Sequence, residues 1–414
     1  MLKNWIAFLL VCLPLQAVIA DTIKLGLNYP STGRYKEQGI AQARGALMAV
    51  EEINAAGGIN GRKLELLTAN TASKPDKAVE NVKKLASQGV SMLFGGSSSA
   101  VAIAASKEAK KHDLLYFGTL TYANATTGVE GHTHMFRETY NAWMTAKALA
   151  FYLNQDLQGK KVFYITADYS WGHSTESSLR NFTNTQDEVM HPNAVVKFPR
   201  PRQADLEAAL IKARDSNADV LMLIQFGDDM ATALEIAYKM DLRDKMKIVV
   251  PNLTLGMAKS AGAGLLEGIV STVPWCWRVP SMYGFEKGKK FVENFSDRFQ
   301  MYPSTSAATA YTIVYQFKEA VERAGSLKTS KLITALEGHT YTSVKDPQTW
   351  RKFDHQSVQS VYVVKGKKRA EVLADKFNED YFEVVLSIPG NTAARTYEQW
   401  VAVRERAGKP TKLQ

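Results

Sequence analysis

The chain has 414 residues, of which 45% are hydrophobic and 22% charged, a balance that is ordinary for a globular protein. Its length is too great for a single hydrophobic core and indicates two lobes. The net charge of +10 comes from Lys and Arg residues that are spread along the chain. No basic block lies beside aromatic residues, so the pattern does not indicate nucleic-acid binding.

The N-terminus has the pattern of a secretory signal peptide over residues 1–20. Lys3 supplies a positive start, Trp5–Leu13 is apolar, and small or apolar residues precede a predicted cleavage ahead of Asp21. The apolar run is shorter than a membrane span, which disfavours the alternative of an uncleaved anchor. Lipidation at Cys12 is also disfavoured. After cleavage only Cys276 remains, so no intrachain disulfide is expected.

The first regular elements after the predicted cleavage form a strand, a helix and a second strand. Apolar residues alternate over Thr22–Tyr29 and predict a strand. Ile40, Ala43, Leu47, Val50 and Ile53 then recur at helical spacing. Gly57-Gly58 can end this helix, and Lys63–Ala69 follows as a strand. The segment is therefore predicted to be the first βαβ unit of an α/β protein.

The same alternation continues along most of the chain. Further strands are predicted over Val90–Phe94, Leu114–Phe117, Lys161–Thr166, Val195–Phe198, Asp219–Ile224, Lys247–Val250 and Val358–Val364, with helices over Lys77–Ser87, Ser99–His112, Asn141–Leu153, Ser174–Phe182, Asp205–Arg214, Met230–Met240, Ser281–Phe299 and Tyr311–Ala324. This rhythm predicts parallel sheets with helices on both faces. No linker rich in Pro, Gly or Ser separates two halves, so we expect the chain to cross between lobes several times.

The most informative loop for binding is Gly95-Gly96-Ser97-Ser98-Ser99, which follows a predicted strand and opens a helix. Ligands of open α/β sheets bind at the carboxyl ends of strands. Free backbone N–H groups and the helix dipole favour an anionic group there, such as a carboxylate. The alternative is that Ser98 or Ser99 simply caps the helix.

Residues 49–61, with the βαβ unit around them, resemble the opening of the periplasmic leucine/isoleucine/valine-binding proteins, the solute receptors of ABC importers. The resemblance implies an α/β fold of two Rossmann-like lobes with parallel sheets, joined by a three-strand hinge. The implied crossovers lie near 136–139, 273–278 and 353–359. The implied N-terminal lobe comprises residues 21–138 plus 276–355, and the C-terminal lobe 139–275 plus 356–414.

The resemblance also implies a function and its partners. Such a protein captures a small-molecule ligand in the periplasm, closes its lobes on it and docks on an inner-membrane ABC permease. A monomer without cofactor, metal or nucleic acid is expected. The alternative is a ligand-sensing receptor that feeds a membrane sensor or regulator. A secreted hydrolase is disfavoured because no catalytic triad or nucleophile elbow is recognisable. A metal site at His132 and His134 is also disfavoured, because no third ligand lies at a spacing typical of metal sites.

In the first lobe, the resemblance assigns the ligand's carboxylate to two loops. Ser99 aligns with the serine that holds this carboxylate, and Ser97 and Ser98 align with its predecessors. Thr121 is in register to donate a backbone amide, whereas Tyr122 stands where a threonine is usual. Gln38 aligns with a position at the cleft mouth, and Tyr35 lies in the same loop.

In the second lobe, the resemblance assigns ligand-facing aromatics to Trp171 and Phe226. For Trp171 the alternative is core packing, and Trp275 and Trp277 are further candidates with the same alternative. Asn252 stands where amino-acid-binding relatives carry a Glu that pairs with the ligand's ammonium group. Burying an ammonium without a negative partner is costly. Either Asp228, whose alternative role is a helix N-cap, replaces that Glu, or the ligand is not an α-amino acid.

Overall fold

The computed structural model describes residues 22–96 and 98–414, so the predicted signal peptide and Ser97 lie outside the described residues. The first lobe is built on a five-stranded, all-parallel sheet with strand order β2-β1-β3-β4-β5. Its elements are β1 (Ile23–Tyr29), α1 (Lys36–Ala55), β2 (Leu64–Asn70), α2 (Pro75–Ser87), β3 (Met92–Gly95), α3 (Ser99–Lys111), β4 (Tyr116–Gly118) and β5 (Met135–Arg137).

The second lobe is built on a seven-stranded sheet with strand order β15-β14-β10-β9-β8-β6-β7. Its elements are α4 (Ala142–Leu157), β6 (Val162–Ala167), α5 (Ser170–Thr183), β7 (Asn193–Val196), α6 (Gln203–Asp215), β8 (Val220–Ile224), α7 (Asp228–Lys239), a short 3₁₀ helix (Leu242–Asp244), β9 (Lys247–Val250), α8 (Leu255–Ala261), α9 (Ala263–Leu266), β10 (Val270–Val273), β14 (Val361–Gly366), α14 (Arg369–Leu373), β15 (Phe382–Ile388) and α15 (Gly390–Ala393).

The predicted parallel arrangement is confirmed for the first sheet and for β6 to β10 of the second. It is wrong at one edge, where β14 runs antiparallel to both β10 and β15. Helix α14 spans only five residues, too few to carry the chain back along the sheet as a parallel crossover requires.

The remaining elements return to the first lobe. They are α10 (Val279–Tyr283), α11 (Glu286–Phe299), α12 (Thr305–Ala324), α13 (Thr329–Leu336) and a small antiparallel sheet of β11 (Thr340–Tyr341), β12 (Gln348–Trp350) and β13 (Ser357–Val358). The segment 281–299, predicted to be mostly helical, forms two helices, because Gly284 adopts a left-handed φ of +74° between them. Helix α12 packs on α1, where a Cβ at Gly45 would lie 2.1 Å from the Ala307 carbonyl oxygen.

The chain passes between the two sheets three times, so the predicted three-strand hinge is confirmed. We call residues 138–141, 274–278 and 359–360, together with Lys345, the hinge. The Lys345 Nζ donates to the Pro274 carbonyl at 2.6 Å and to the Ser360 carbonyl at 2.8 Å. The Gln359 amide donates to the Glu138 carbonyl. These bonds hold the three crossovers side by side.

The C-terminal segment ends in helix α16 (Tyr397–Arg406), which contacts the loop that follows β4. The Trp400 indole N–H donates to the Thr127 carbonyl at 2.9 Å, and the Arg404 guanidinium donates to the Gly128 carbonyl at 2.5 Å. The lobe boundaries drawn from the sequence remain a prediction. The sequence analysis assigned residues 356–414 to the C-terminal lobe. Helix α16 of this segment contacts Thr127 and Gly128, which were predicted to belong to the first lobe.

Candidate functional site

A small cavity lies between the lobes, where loops from the carboxyl ends of both sheets meet. We call it the cleft site. Its volume is about 10 Å³, so the lining side chains nearly fill it in this form of the protein. Its lining residues are Ser98, Ser99, Leu120 and Tyr122 from the first lobe, and Tyr169, Trp171 and Phe226 from the second. Open α/β sheets bind their ligands at this edge. None of the seven lining side chains carries a charge.

The first lobe contributes hydroxyl groups at the start of α3. Glycine is required before them, since Gly95 has a φ of +126° and a Cβ there would lie 2.4 Å from the Asn28 carbonyl oxygen. The Ser98 hydroxyl caps α3 by accepting from the Val101 N–H at 3.3 Å. The Ser99 hydroxyl accepts from the Ala123 N–H at 2.9 Å. Each hydroxyl keeps its own O–H to donate, so capping leaves both serines able to bind an anion.

Aromatic rings from both lobes form one wall of the cleft site around Phe226. The Phe226 ring centre lies 5.3 Å from that of Tyr35, 6.0 Å from Tyr122 and 5.7 Å from Trp171. Tyr169 adds a further ring 5.8 Å from Trp171. These spacings are typical of favourable aromatic pairs. The wall therefore offers flat, apolar surface to a ligand while keeping the two lobes in contact.

Several buried polar atoms beside this wall have no hydrogen-bond partner in the described chain. They are the hydroxyls of Tyr35, Tyr122 and Thr139 and both side-chain polar atoms of Asn252. Each of the four residues is less than 5% exposed. Their only polar neighbours are weak ones, since Tyr122 faces Thr139 and Asn252, and Tyr35 faces Tyr169, without a hydrogen bond of normal geometry. We call Tyr122, Thr139 and Asn252 the polar cluster. An unpaired buried polar group costs about 1–3 kcal/mol, so such a concentration favours a site for a polar partner.

Burial raises the pKa of the Tyr35 and Tyr122 hydroxyls well above their usual range. Both groups therefore remain neutral at physiological pH, and each can donate one hydrogen bond. Asn252 likewise offers donors and an acceptor without charge. The polar atoms of the cleft can thus recognise oxygen or nitrogen atoms of a ligand, but they cannot neutralise a positive charge.

An ion pair joins the two lobes next to the cleft. Arg34, in the loop after β1, approaches Asp229 at the start of α7 with an N–O distance of 2.6 Å. Burial raises the pKa of the Asp229 carboxyl to about 6, although Arg34 acts in the opposite direction. Asp228, the acidic residue predicted for the site, is exposed and does not line the cavity. The buried carboxylate near the cleft therefore belongs to Asp229, and its charge is already paired with Arg34.

Two other predicted residues are buried near the cleft without lining the cavity. Gln38 faces the second lobe, where a Cβ at Gly256 would lie 3.5 Å from its amide nitrogen. The Thr121 hydroxyl is bonded to that of Thr126 at 2.6 Å. The structure therefore brings Ser98, Ser99, Tyr122, Trp171 and Phe226 together at the cavity, places Asn252 in the adjoining polar cluster, and leaves Gln38 and Thr121 outside the cavity lining.

The candidates Trp275 and Trp277 lie outside the cleft site. The Trp275 indole donates to the Val344 carbonyl at 3.1 Å, and its ring packs near Phe291. Trp277 stacks on Tyr302 with ring centres 3.7 Å apart. Their alternative role in packing is therefore the correct one.

The sequence analysis missed the contributions of Leu120, Tyr169, Thr139 and the Arg34–Asp229 pair. It named Tyr35 only as a neighbour of Gln38 in the loop at the cleft mouth. Tyr35 lies in the loop after β1, at the same sheet edge as the loops after β3 and β4. The rule that ligands bind at the carboxyl ends of strands could have selected it.

Two further searches cover only the residues that the structure describes. Within 22–96 and 98–414, no helix is both long and apolar enough to cross a membrane. In the same ranges, no three His, Cys, Asp or Glu side chains are grouped so that they could hold a metal ion. His132 instead contacts the Ser106 hydroxyl at 3.2 Å, and His134 pairs with Asp113 at 3.0 Å.

Two α/β lobes, three crossovers and a cavity at the facing sheet edges define a two-lobed binding protein. Residues 22–371 match the family described as periplasmic binding protein, and the chain belongs to this family. The predicted family and fold are thereby confirmed. Family members are solute-binding proteins, and their location is the periplasm.

Individual relatives and solved structures cover nearly the whole chain. The "Leu/Ile/Val-binding protein homolog 4" of Brucella melitensis is 25% identical over 375 residues, 86% of each chain. A periplasmic binding protein from Burkholderia mallei superposes with a TM-score of 0.81 at 22% identity, covering 92% of this chain and 98% of its own. An ABC-transporter solute-binding protein from Rhodopseudomonas palustris, solved with 3,4-dihydroxybenzoic acid, gives a TM-score of 0.77 at 17% identity, covering 89% of this chain and 98% of its own.

Proposed function

We propose that this chain is the periplasmic substrate-binding component of an ABC transporter and that it captures a small aromatic carboxylate or a similar acid without an ammonium group. The observation that carries the ligand class is the charge of the cleft. Its seven lining side chains are uncharged, Asn252 replaces the expected acid, and the nearby Asp229 carboxylate is paired with Arg34. An ammonium group buried there would lack a negative partner.

The two lobes supply different parts of the proposed recognition. The ligand's carboxylate accepts hydrogen bonds from Ser98 and Ser99 and benefits from the N-terminal dipole of α3. Its ring packs against Trp171 and Phe226, whose faces are held by the surrounding aromatics. A further polar substituent is bound by the polar cluster. The cavity of about 10 Å³ is too small for a ring, so the ligand enters when the lobes open and the aromatic side chains move apart.

Capture closes the lobes, and the closed pair is the form that an inner-membrane permease recognises. Contacts that join the lobes outside the cavity support this step, namely the Arg34–Asp229 pair and the approach of Gln38 to Gly256. The proposal includes export through residues 1–20, action as a monomer, and binding without turnover of the ligand.

A matched set of four ligands tests the ligand class on the purified mature chain. Phenylalanine and 3-phenylpropanoate differ only by the ammonium group, and leucine and 4-methylpentanoate form the equivalent aliphatic pair. A ligand that binds only the folded state stabilises it by about 2.7 kcal/mol at a hundredfold excess over its Kd. This stabilisation appears as a higher Tm. We expect 3-phenylpropanoate, with benzoate as the smaller analogue, to raise the Tm and phenylalanine to leave it unchanged. A larger shift from leucine or phenylalanine than from the deaminated acids would contradict the proposed class.

A further inference from the structure

A second concave site lies outside the cleft, between the loop after β4, helix α5 and helix α16. We call it the arginine groove. Its volume is about 560 Å³, and it shares no lining residue with the cleft site. Its walls include Asn124 from the loop after β4, Trp143 and Ser174 from the second lobe, and Arg395 and Arg406 from the C-terminal segment.

Arg395 is the most informative residue of this groove. Its guanidinium lies over the Trp143 ring, 4.5 Å from the ring centre, and its Nε is buried without a hydrogen-bond partner. Among residues 22–96 and 98–414, no carboxylate lies within ion-pair distance of it. Asp354, the acid that acts on it, is instead paired with Arg351. Arg395 is half-buried and lies over an aromatic ring, so a negative partner from outside the described chain would add a charge-assisted hydrogen bond to its unpaired Nε.

The rest of the groove is rich in hydrogen-bond donors and contains no acid. Ser174, Ser177, Ser178 and Asn181 line it from α5 at spacings that place them on one helical face. The Trp143 indole N–H is buried and also lacks a partner. Arg406, exposed at the groove, adds a second positive charge. Burial is the main cause that lowers the pKa of Arg395 to about 10; Arg406 and Arg351 act in the same direction, and Asp354 opposes them.

We propose that the arginine groove is an anion-binding site that takes a phosphate group, either as inorganic phosphate or as part of a small phosphorylated solute. A phosphate accepts several charge-assisted hydrogen bonds at once, and arginine matches its geometry in a bidentate manner. The Ser178 hydroxyl already donates to the Ser174 carbonyl at 2.7 Å, whereas the Trp143 indole N–H and the hydroxyls of Ser174 and Ser177 complete a set of donors suited to an anion. This inference does not depend on the ligand proposed for the cleft.

The groove also joins parts of the molecule that belong to different lobes. The Asn124 amide donates to the Ser178 hydroxyl at 2.9 Å, and its carbonyl oxygen accepts from the Trp143 backbone N–H at 2.9 Å. An anion held here contacts the C-terminal segment and α5 together. It is therefore expected to stabilise the folded chain as well as to bind it.

Calorimetric titration of the purified chain with inorganic phosphate, and separately with glycerol 3-phosphate, tests the site at constant ionic strength set with NaCl. We expect saturable binding of at least one of them in the wild type. Arg395→Gln removes the central charge and should weaken binding about tenfold to hundredfold, as a charged hydrogen bond is worth about 1.5–3 kcal/mol. Arg406→Gln, at an exposed position, should weaken it severalfold.

Arg214→Gln is the matched control, because Arg214 is an exposed arginine on α6 that pairs with Asp215 outside the groove. It should leave phosphate binding unchanged. Binding of inorganic phosphate assigns the site to the free anion, whereas binding of the ester alone assigns it to a phosphorylated solute. Absence of saturable binding of both probes would overturn the proposal, and so would equal affinities of Arg406→Gln, Arg214→Gln and the wild type. If Arg395→Gln does not fold, the comparison of Arg406→Gln with Arg214→Gln decides the matter.

Discussion

The cleft site and the hinge are both buried and polar, but they differ in how far their polar atoms are paired. The Thr139 hydroxyl belongs to a hinge residue but faces Tyr122, so we count it with the polar cluster. In the hinge, Lys345 donates to two carbonyls, and the Glu138 carboxylate accepts from the Gln348 amide at 2.9 Å. In the cleft, Tyr122 and Asn252 are equally buried but make no hydrogen bond of normal geometry and interact only weakly with each other. Buried polar groups are nearly always paired in native proteins, so the unpaired ones need an explanation. The difference separates groups that maintain the fold from groups that we propose for a ligand.

The comparison gives opposite expectations for mutations in the two regions. Removing a paired group from the hinge leaves its former partners buried and unsatisfied, which is costly. Removing an unpaired group from the cleft leaves nothing unsatisfied, so it should cost little stability and should weaken ligand binding instead.

The largest expected effect is on stability, at the base of the hinge. The Arg137 guanidinium is fully buried and donates to Gln356 at 2.6 Å, to the Thr127 hydroxyl at 2.7 Å and to the Ala123 carbonyl at 2.5 Å. Arg137→Met keeps much of the side-chain volume but leaves these acceptors unpaired. We expect the free energy of unfolding to fall by about 3–5 kcal/mol, measured by urea denaturation.

Arg214→Met is the control for this variant, since its side chain is exposed and its loss should change stability by less than about 0.5 kcal/mol. An Arg137→Met variant as stable as this control would show that paired polar groups near the hinge do not maintain the fold.

A smaller effect is expected on the pH dependence of stability. Burial raises the pKa of Glu138 from 4.5 to about 7. The folded chain therefore keeps a proton that the unfolded chain releases, and the stability contributed by the protonated carboxyl is present at low pH and lost as the pH rises through about 7. Glu138→Gln mimics the protonated form and should remove this loss. We expect the variant to gain stability over the wild type between pH 5 and pH 8 by about 2 kcal/mol.

The measurement is the Tm of both proteins across this pH range. Glu405→Gln, on the exposed part of α16, serves as the control and should show the same pH profile as the wild type. If the Tm difference between Glu138→Gln and the wild type does not change with pH, Glu138 does not titrate as its burial implies.

Much of the fold could be predicted from local patterns. Helical spacing over residues 40–53, glycine at 57 and 58, and short apolar strands fixed the order of the elements and the sheet edge at which a ligand binds. Local patterns placed Ser98 and Ser99 at the end of a strand, the resemblance to the family selected Trp171 and Phe226, and the structure brings these four to one cavity. Strand ends of a parallel sheet meet at one edge whatever the details of packing.

The remaining features depend on how distant segments dock. Consecutive residues of a helix point about 100° apart, so the sequence could not tell which of Asp228 and Asp229 is buried before the position of α7 was known. Tyr35 contacts Phe226 and Arg34 contacts Asp229 only because the lobes are brought together. The antiparallel strands β14 and β15 have the same apolar composition as parallel ones, and only the length of their connection distinguishes them.

Two neighbouring tyrosines allow the most direct test of the central claim that unpaired polar groups in the cleft serve a ligand. The rings of Tyr122 and Tyr140 lie 5.5 Å apart, but only the Tyr140 hydroxyl is paired, donating to the Thr272 carbonyl at 3.1 Å. The measurement is the Tm of Tyr122→Phe and Tyr140→Phe, with and without 3-phenylpropanoate. Tyr140→Phe should lose about 1 kcal/mol and keep the ligand-induced shift. Tyr122→Phe should be as stable as the wild type or more so, with a reduced shift. If Tyr122→Phe is destabilised like Tyr140→Phe and keeps the full shift, the claim is wrong.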